Sequence, residues 1–273
     1  MKRTGRYLPD FTLVAVVLVV SALGFWDLFL GAQADPQPHH YAHLITSLGW
    51  ILLVLAQLIV IAKGDYALHR RVGLAVLLVG PVIVATVATL SVYSAKKGAA
   101  SGEGDFLIVQ NVMVTLELAL LIVLAFLFKK RRILHGHLLL STLILFGGIA
   151  LFFALIGFVP QFRIEGPETF YRFGLAAMTG QLVCLSGGLA LFLLKSRDRW
   201  PFLLVGASFF ANEGIRLLLE RFGLIDGLTA TVGSLDLVMT FVAVLLLVGV
   251  LLTATVLPVS RTRRALGKAQ ELS

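Results

Sequence analysis

The chain has 273 residues, of which 58% are hydrophobic and 14% charged, and its mean hydropathy is +0.94. A soluble domain carries about a quarter charged residues, so this composition excludes a water-covered globule and makes lipid the solvent for most of the exterior. The net charge is +8, but the basic residues fall between apolar runs; that makes them a topology signal and argues against a nucleic-acid partner.

Hydropathy predicts an all-α bundle of eight transmembrane helices at 9–31, 42–62, 72–93, 106–128, 136–158, 171–194, 201–222 and 231–257. Each run is near or above the ~20 residues that an α-helix needs to cross the hydrocarbon core. Period-2 alternation is missing, which argues against a barrel. Connections are short, so residues 1–273 read as one integral membrane domain.

The first run follows Lys2, Arg3 and Arg6 and ends near AQA (32–34), a secretory-signal outline. Against cleavage there, the stretch from Phe11 to Leu30 is long for a signal and carries Asp27. The basic connections are KGDYALHRR (63–71), KKRR (129–132) and KSRDR (195–199), and the tail adds Arg261, Arg263, Arg264 and Lys268. The positive-inside rule then puts these connections and both termini in the cytoplasm of a bacterial-type plasma membrane. Every lysine lies in a connection, a tail or at a span end, which excludes a retinal Schiff base within a helix.

Pro81 is expected to kink or loosen the third span. FGGIALFF (146–153) and SGGLALFL (186–193) read as small-residue packing sites, where helix backbones approach closely in lipid. Cys184, the single cysteine, reads as a small buried residue.

Polar residues inside spans are costly and mark the bundle interior. Counting at 1.5 Å per residue puts Asp27, His43, Asn111, Arg216 and Asp236 within roughly 9 Å of the outer boundary. Glu117, Gln181 and Glu213 lie near the midplane, and Gln57 lies toward the inside. Glu213, Arg216 and Glu220 share one side of the seventh span at i, i+3 and i+7. Arg216 and Asp236 fall at similar depth on consecutive spans, so an Arg216–Asp236 ion pair is expected, with Glu213 as the alternative partner at i−3. Of the midplane carboxylates Glu117 and Glu213, at least one is expected to be protonated, to hold a cation or to face water.

The histidines lie toward span ends. His39 and His43 are one helical turn apart and could share a divalent metal with a third ligand from Asp35, Asp27 or Asp236. His69 with His135 or His137 could hold a b-type haem near the inner face. No H-E-x-x-H, G-x-S-x-G or phosphate-binding glycine loop is present.

HLITSLGWILLVLAQLIVIAKGDYALHRRVG (43–73) and RRILHGHLLLSTLILFGGIALF (131–152) resemble a pattern in small bacterial polytopic membrane proteins. There a histidine opens a helix that carries Trp and Gln and ends in a His-Arg-x-x-Gly turn. The resemblance makes His43, Trp50, Gln57 and His69 a unit and implies no activity. The expected function is therefore binding or movement of a small solute or ion, without enzymatic chemistry, linked to a proton at Glu117 or Glu213. Arg216 and Asp236 would order the site, with Asn111, Asn212, Gln181, Asp27 and His43 around it. The alternatives are a haem- or metal-binding redox protein and a non-catalytic assembly subunit.

Overall fold

The computed structural model describes residues 7–102 and 104–256. The basic residues of both termini, on which the orientation of the ends rests, lie outside them. Among the described residues the chain is all helical, with no strand. In order the helices are α1 (Leu8–Gly24), α2 (Trp26–Leu30), α3 (Pro38–Lys63), α4 (Tyr66–Gly73), α5 (Val76–Ser101), α6 (Ile108–Leu127), α7 (Arg132–Phe158), α8 (Tyr171–Leu194), α9 (Trp200–Arg221), α10 (Ile225–Gly233) and α11 (Leu237–Val256). Seven of them, α3, α5, α6, α7, α8, α9 and α11, are long and apolar enough to cross a membrane, the make-up of a multi-pass integral membrane protein.

The eighth expected span is the first. It is not one continuous helix over 9–31, because the chain turns at Phe25 (φ −102°, ψ 8°) between α1 and α2. α1 has 17 residues, about 25 Å at 1.5 Å per residue and short of a full crossing. It converges on α7 at Gly24, where a side chain would collide with the Ala150 backbone. Beyond that contact the Phe25 ring packs on Phe153 of α7 at 5.8 Å.

Two connections also hold helices. α4 occupies the expected basic connection, opened by Asp65, whose Oδ1 accepts from Leu68 N at 2.9 Å. α10 occupies most of 223–230, so the last span begins later than expected, at Leu237. Elsewhere the ends follow local chemistry: Pro38 opens α3, and Gly64 closes it with φ +79°, a conformation glycine adopts without steric cost. Pro81 lies inside α5, which runs unbroken from Val76 to Ser101.

α5 and α7 form the centre. In each, 56% of the most apolar stretch is buried, against 11% in α11. α7 packs against α1, α6, α8 and α9, and α5 against α3, α6, α10 and α11. The fully buried Trp50 of α3 donates from Nε1 to Thr142 Oγ1 of α7 at 2.9 Å. The two small-residue motifs do pack closely. Gly188 of α8 lies against Phe202 and Gly206 of α9, while Gly148 of α7 makes room for Phe209 and Cys184.

One buried ion pair closes the bundle between distant parts of the chain. Lys195, just after α8, donates to Asp10 Oδ1 in the first turn of α1 at 2.6 Å, and Asp10 is only 3% exposed. Arg131 pairs with Asp198 nearby in sequence to Lys195, so the 129–132 and 195–199 connections share one end of the molecule, the basic end. Asp10→Ala should cost about 3 kcal/mol by leaving a buried ammonium unpaired. Asp10→Leu combined with Lys195→Met should recover most of that loss. Thermal unfolding in detergent would measure both; a single-variant loss below about 1 kcal/mol would mean that the pair is effectively solvated.

Candidate functional site

The polar residues of α3 recur at seven-residue spacing, 43, 50 and 57, and so share one face. Each finds a partner on a different element. His43 contacts Thr86 Oγ1 of α5 through Nδ1 at 3.4 Å and Ser47 Oγ through Nε2 at 3.2 Å. Trp50 reaches Thr142 of α7. Gln57, largely buried, is satisfied when its amide nitrogen faces the His69 carbonyl at 3.2 Å and its oxygen accepts from Gly73 N at 2.8 Å. The His-Trp-Gln-His unit therefore ties α3 to α5, α7 and α4.

A second polar group lies midway along α6 and α9. Ser208 Oγ of α9 stands 3.1 Å from Glu117 Oε2 of α6, and the same hydroxyl is 3.0 Å from the Val205 carbonyl. One turn on, Asn212 stands beside the Glu117 carboxyl. The amide stops short of hydrogen-bond geometry: neither its nitrogen nor its oxygen has a partner, although the residue is only 1% exposed. A buried amide without partners costs about 1–3 kcal/mol, so an orphan beside a carboxyl midway along α6 is unexpected of a purely structural contact. Ser208 was not singled out from the sequence; its position four residues before Asn212, on the same helix face, is the signal that could have found it.

Glu213 is separate from this group. It is 37% exposed and accepts from Arg216 Nε at 3.0 and 3.1 Å and from Nη2 at 2.8 Å, while Arg216 Nη1 donates to Glu220 at 2.9 Å. The expected Arg216–Asp236 pair is not formed. Asp236 is exposed, precedes α11, and accepts from Met239 N at 2.9 Å as a helix cap. The reason is α10, which carries the chain from α9 across to α5, so that α11 packs on α5 and α6. The alternative partner at i−3 is the one the helix supplies. Glu117 and Glu213 consequently have different partners.

The remaining expected residues are dispersed. Asp27 is exposed on α2 and faces Gly157 at the end of α7. Asn111 on α6 and Gln181 on α8 are half-buried, and neither side chain hydrogen-bonds to a described residue. The His39 ring packs on Tyr93 at 4.0 Å and on His40 at 4.3 Å. Among the described residues no three His, Cys, Asp or Glu side chains are placed to hold a metal ion, so the His39–His43 site with a third ligand from Asp35, Asp27 or Asp236 does not form. His135 donates from Nδ1 to the Ala125 carbonyl at 2.7 Å. His137 instead meets the Asp198 carbonyl at 2.9 Å and packs on Phe202. These two histidines thus turn to different neighbours, and His135 is the one close enough to His69 to influence it.

Burial, reinforced by His135, holds the His69 imidazole below its ordinary value of 6.5. A lowered folded-state value means that the unfolded chain takes up the proton first. Stability is then full above about pH 6.5 and falls as the pH drops below it. Thermal midpoints at pH 7.5 and 5.5 should show a smaller acid loss in His69→Asn than in the parent protein; equal losses would refute the assignment.

Comparison with protein-family models, with curated proteins and with solved structures returns no match for this chain.

Proposed function

We propose that this protein binds or moves a small solute or ion across a bacterial plasma membrane and that a proton on Glu117 is linked to that step. The reading rests above all on Asn212, a buried amide with no partner beside the carboxyl. The basic end would face the cytoplasm. Ser208 has one hydroxyl proton and two oxygens within reach. Both contacts become full hydrogen bonds when Glu117 carries a proton and donates to Ser208 Oγ, leaving Ser208 to donate to Val205. Loss of that proton leaves a carboxylate with Ser208 and Asn212 as its available donors. The vacant amide then has a role, as a donor to the ionised carboxylate or as a contact for the solute. Arg216 takes no part in this cycle, because Glu213 and Glu220 already occupy it.

Two measurements test the proposal. Infrared difference spectra between neutral and alkaline pH should contain a protonated-carboxyl band that Glu117→Gln removes and Ser208→Ala shifts. Asn212→Leu removes the orphan amide at similar volume, so it should raise stability by about 1–2 kcal/mol while abolishing pH-dependent proton movement in reconstituted vesicles. A spectrum unchanged by Glu117→Gln would sink the proton assignment. Unchanged proton movement in Asn212→Leu would reduce that residue to packing. A Soret band in the purified protein that His69→Ala removes would replace this reading with the haem alternative.

A further inference from the structure

The short helix α4 stands at the basic end, at the corner between α3 and α5, and it is pinned there. Asp65 caps its first turn through Leu68 N, and Gln57 meets the His69 carbonyl and Gly73 N. Tyr66, Arg70 and Leu74 follow at four-residue spacing and form an exposed stripe, with Arg71 next around the helix and Leu68 also exposed. Lys63, exposed at the end of α3, comes just before the corner. Most cations at this end are already held inside the molecule: Lys195 by Asp10, Arg131 by Asp198, Lys129 by the Thr255 carbonyl and Arg199 by the Lys195 carbonyl. Lys63, Arg70 and Arg71 have no ion pair among the described residues, and Asp65, the one carboxylate in the stretch, serves as the cap. Lys130 and Arg132 are exposed and equally free, but their segment carries no tyrosine or tryptophan.

We propose that α4 is a binding site for the headgroup of an anionic phospholipid in the leaflet at the basic end. The argument is charge complementarity on an ordered helix. Arg70 supplies a planar guanidinium that grips two phosphate oxygens at once. Arg71 and Lys63 supply the further charge that distinguishes an anionic headgroup from a zwitterionic one. The Tyr66 ring belongs at headgroup level, where aromatic side chains with a polar tip collect, and Leu68 and Leu74 meet the first carbons of the acyl chains. The cap at Asp65 and the contacts of Gln57 hold the donors in place before the lipid arrives, so binding does not have to order a loop. The site is independent of Glu117, which lies on α6 and faces α9.

Native mass spectrometry of the full chain in detergent tests the proposal, with dioleoyl phosphatidylglycerol as the probe and dioleoyl phosphatidylcholine as its zwitterionic counterpart. The anionic lipid should give a saturable first adduct at a concentration about tenfold or more below that of the zwitterionic one. Arg70→Gln combined with Arg71→Gln should remove that preference. Arg70→Gln alone should weaken it by a smaller factor and carries the test if the double variant fails to fold. Lys130→Gln combined with Arg132→Gln takes the same charge from the same end and should leave the preference intact, as should Glu117→Gln. Equal binding of the two lipids, a full preference in a folded variant lacking Arg70, an equal loss in the variant lacking Lys130 and Arg132, or displacement of the lipid by inorganic phosphate at equal concentration would each overturn the proposal.

Discussion

A helix that crosses lipid closes its backbone hydrogen bonds on itself, because the hydrocarbon offers none. What remains for tertiary structure is the small set of side-chain polar groups and the few places where backbones can touch. Every distinctive feature of this bundle follows from how those groups are satisfied. Trp50 on Thr142, His43 on Thr86 and Gln57 across to α4 each pin α3 to a neighbour. Gly188 against Gly206 sets the approach of α8 to α9. Asp10 on Lys195 joins the first helix to the end of the eighth.

Against that background the unsatisfied groups carry more meaning than the satisfied ones. Between α6 and α9, Asn212 is buried without a partner beside a carboxyl that shares a single serine proton with a carbonyl. At the end remote from the basic connections, Asp105 keeps one carboxylate oxygen buried without a hydrogen-bond partner. The two sites differ in kind. One lies between the apolar helices α6 and α9. The other lies beside the connection between α5 and α6. The Arg216 cluster, the most conspicuous charge group in the sequence, is by contrast neutralised largely along its own helix.

The short helices α4 and α10 decide much of this arrangement. Each occupies a stretch that hydropathy treats as a connection, since it is too short or too polar to cross. α10 moves α11 away from α9 and leaves Asp236 as a cap, and α4 brings His69 back over Gln57. Neither displacement leaves a mark in the apolar runs themselves.

By itself the sequence determined the class of the molecule, seven of its long apolar helices, the small-residue contacts of α7, α8 and α9, and the polar register of α3. These are properties of single helices: their length, their period and the residues that repeat along one face. The i−3 partner of Arg216 was legible for the same reason. Tertiary structure alone decided that α1 stops at Gly24, that Asp10 meets Lys195 across 185 positions, and that Ser208 and Asn212 rather than Glu213 stand with Glu117. Which helices become neighbours depends on close backbone approach and on the path of short connecting helices, and both are relations between segments that no periodicity within one segment encodes.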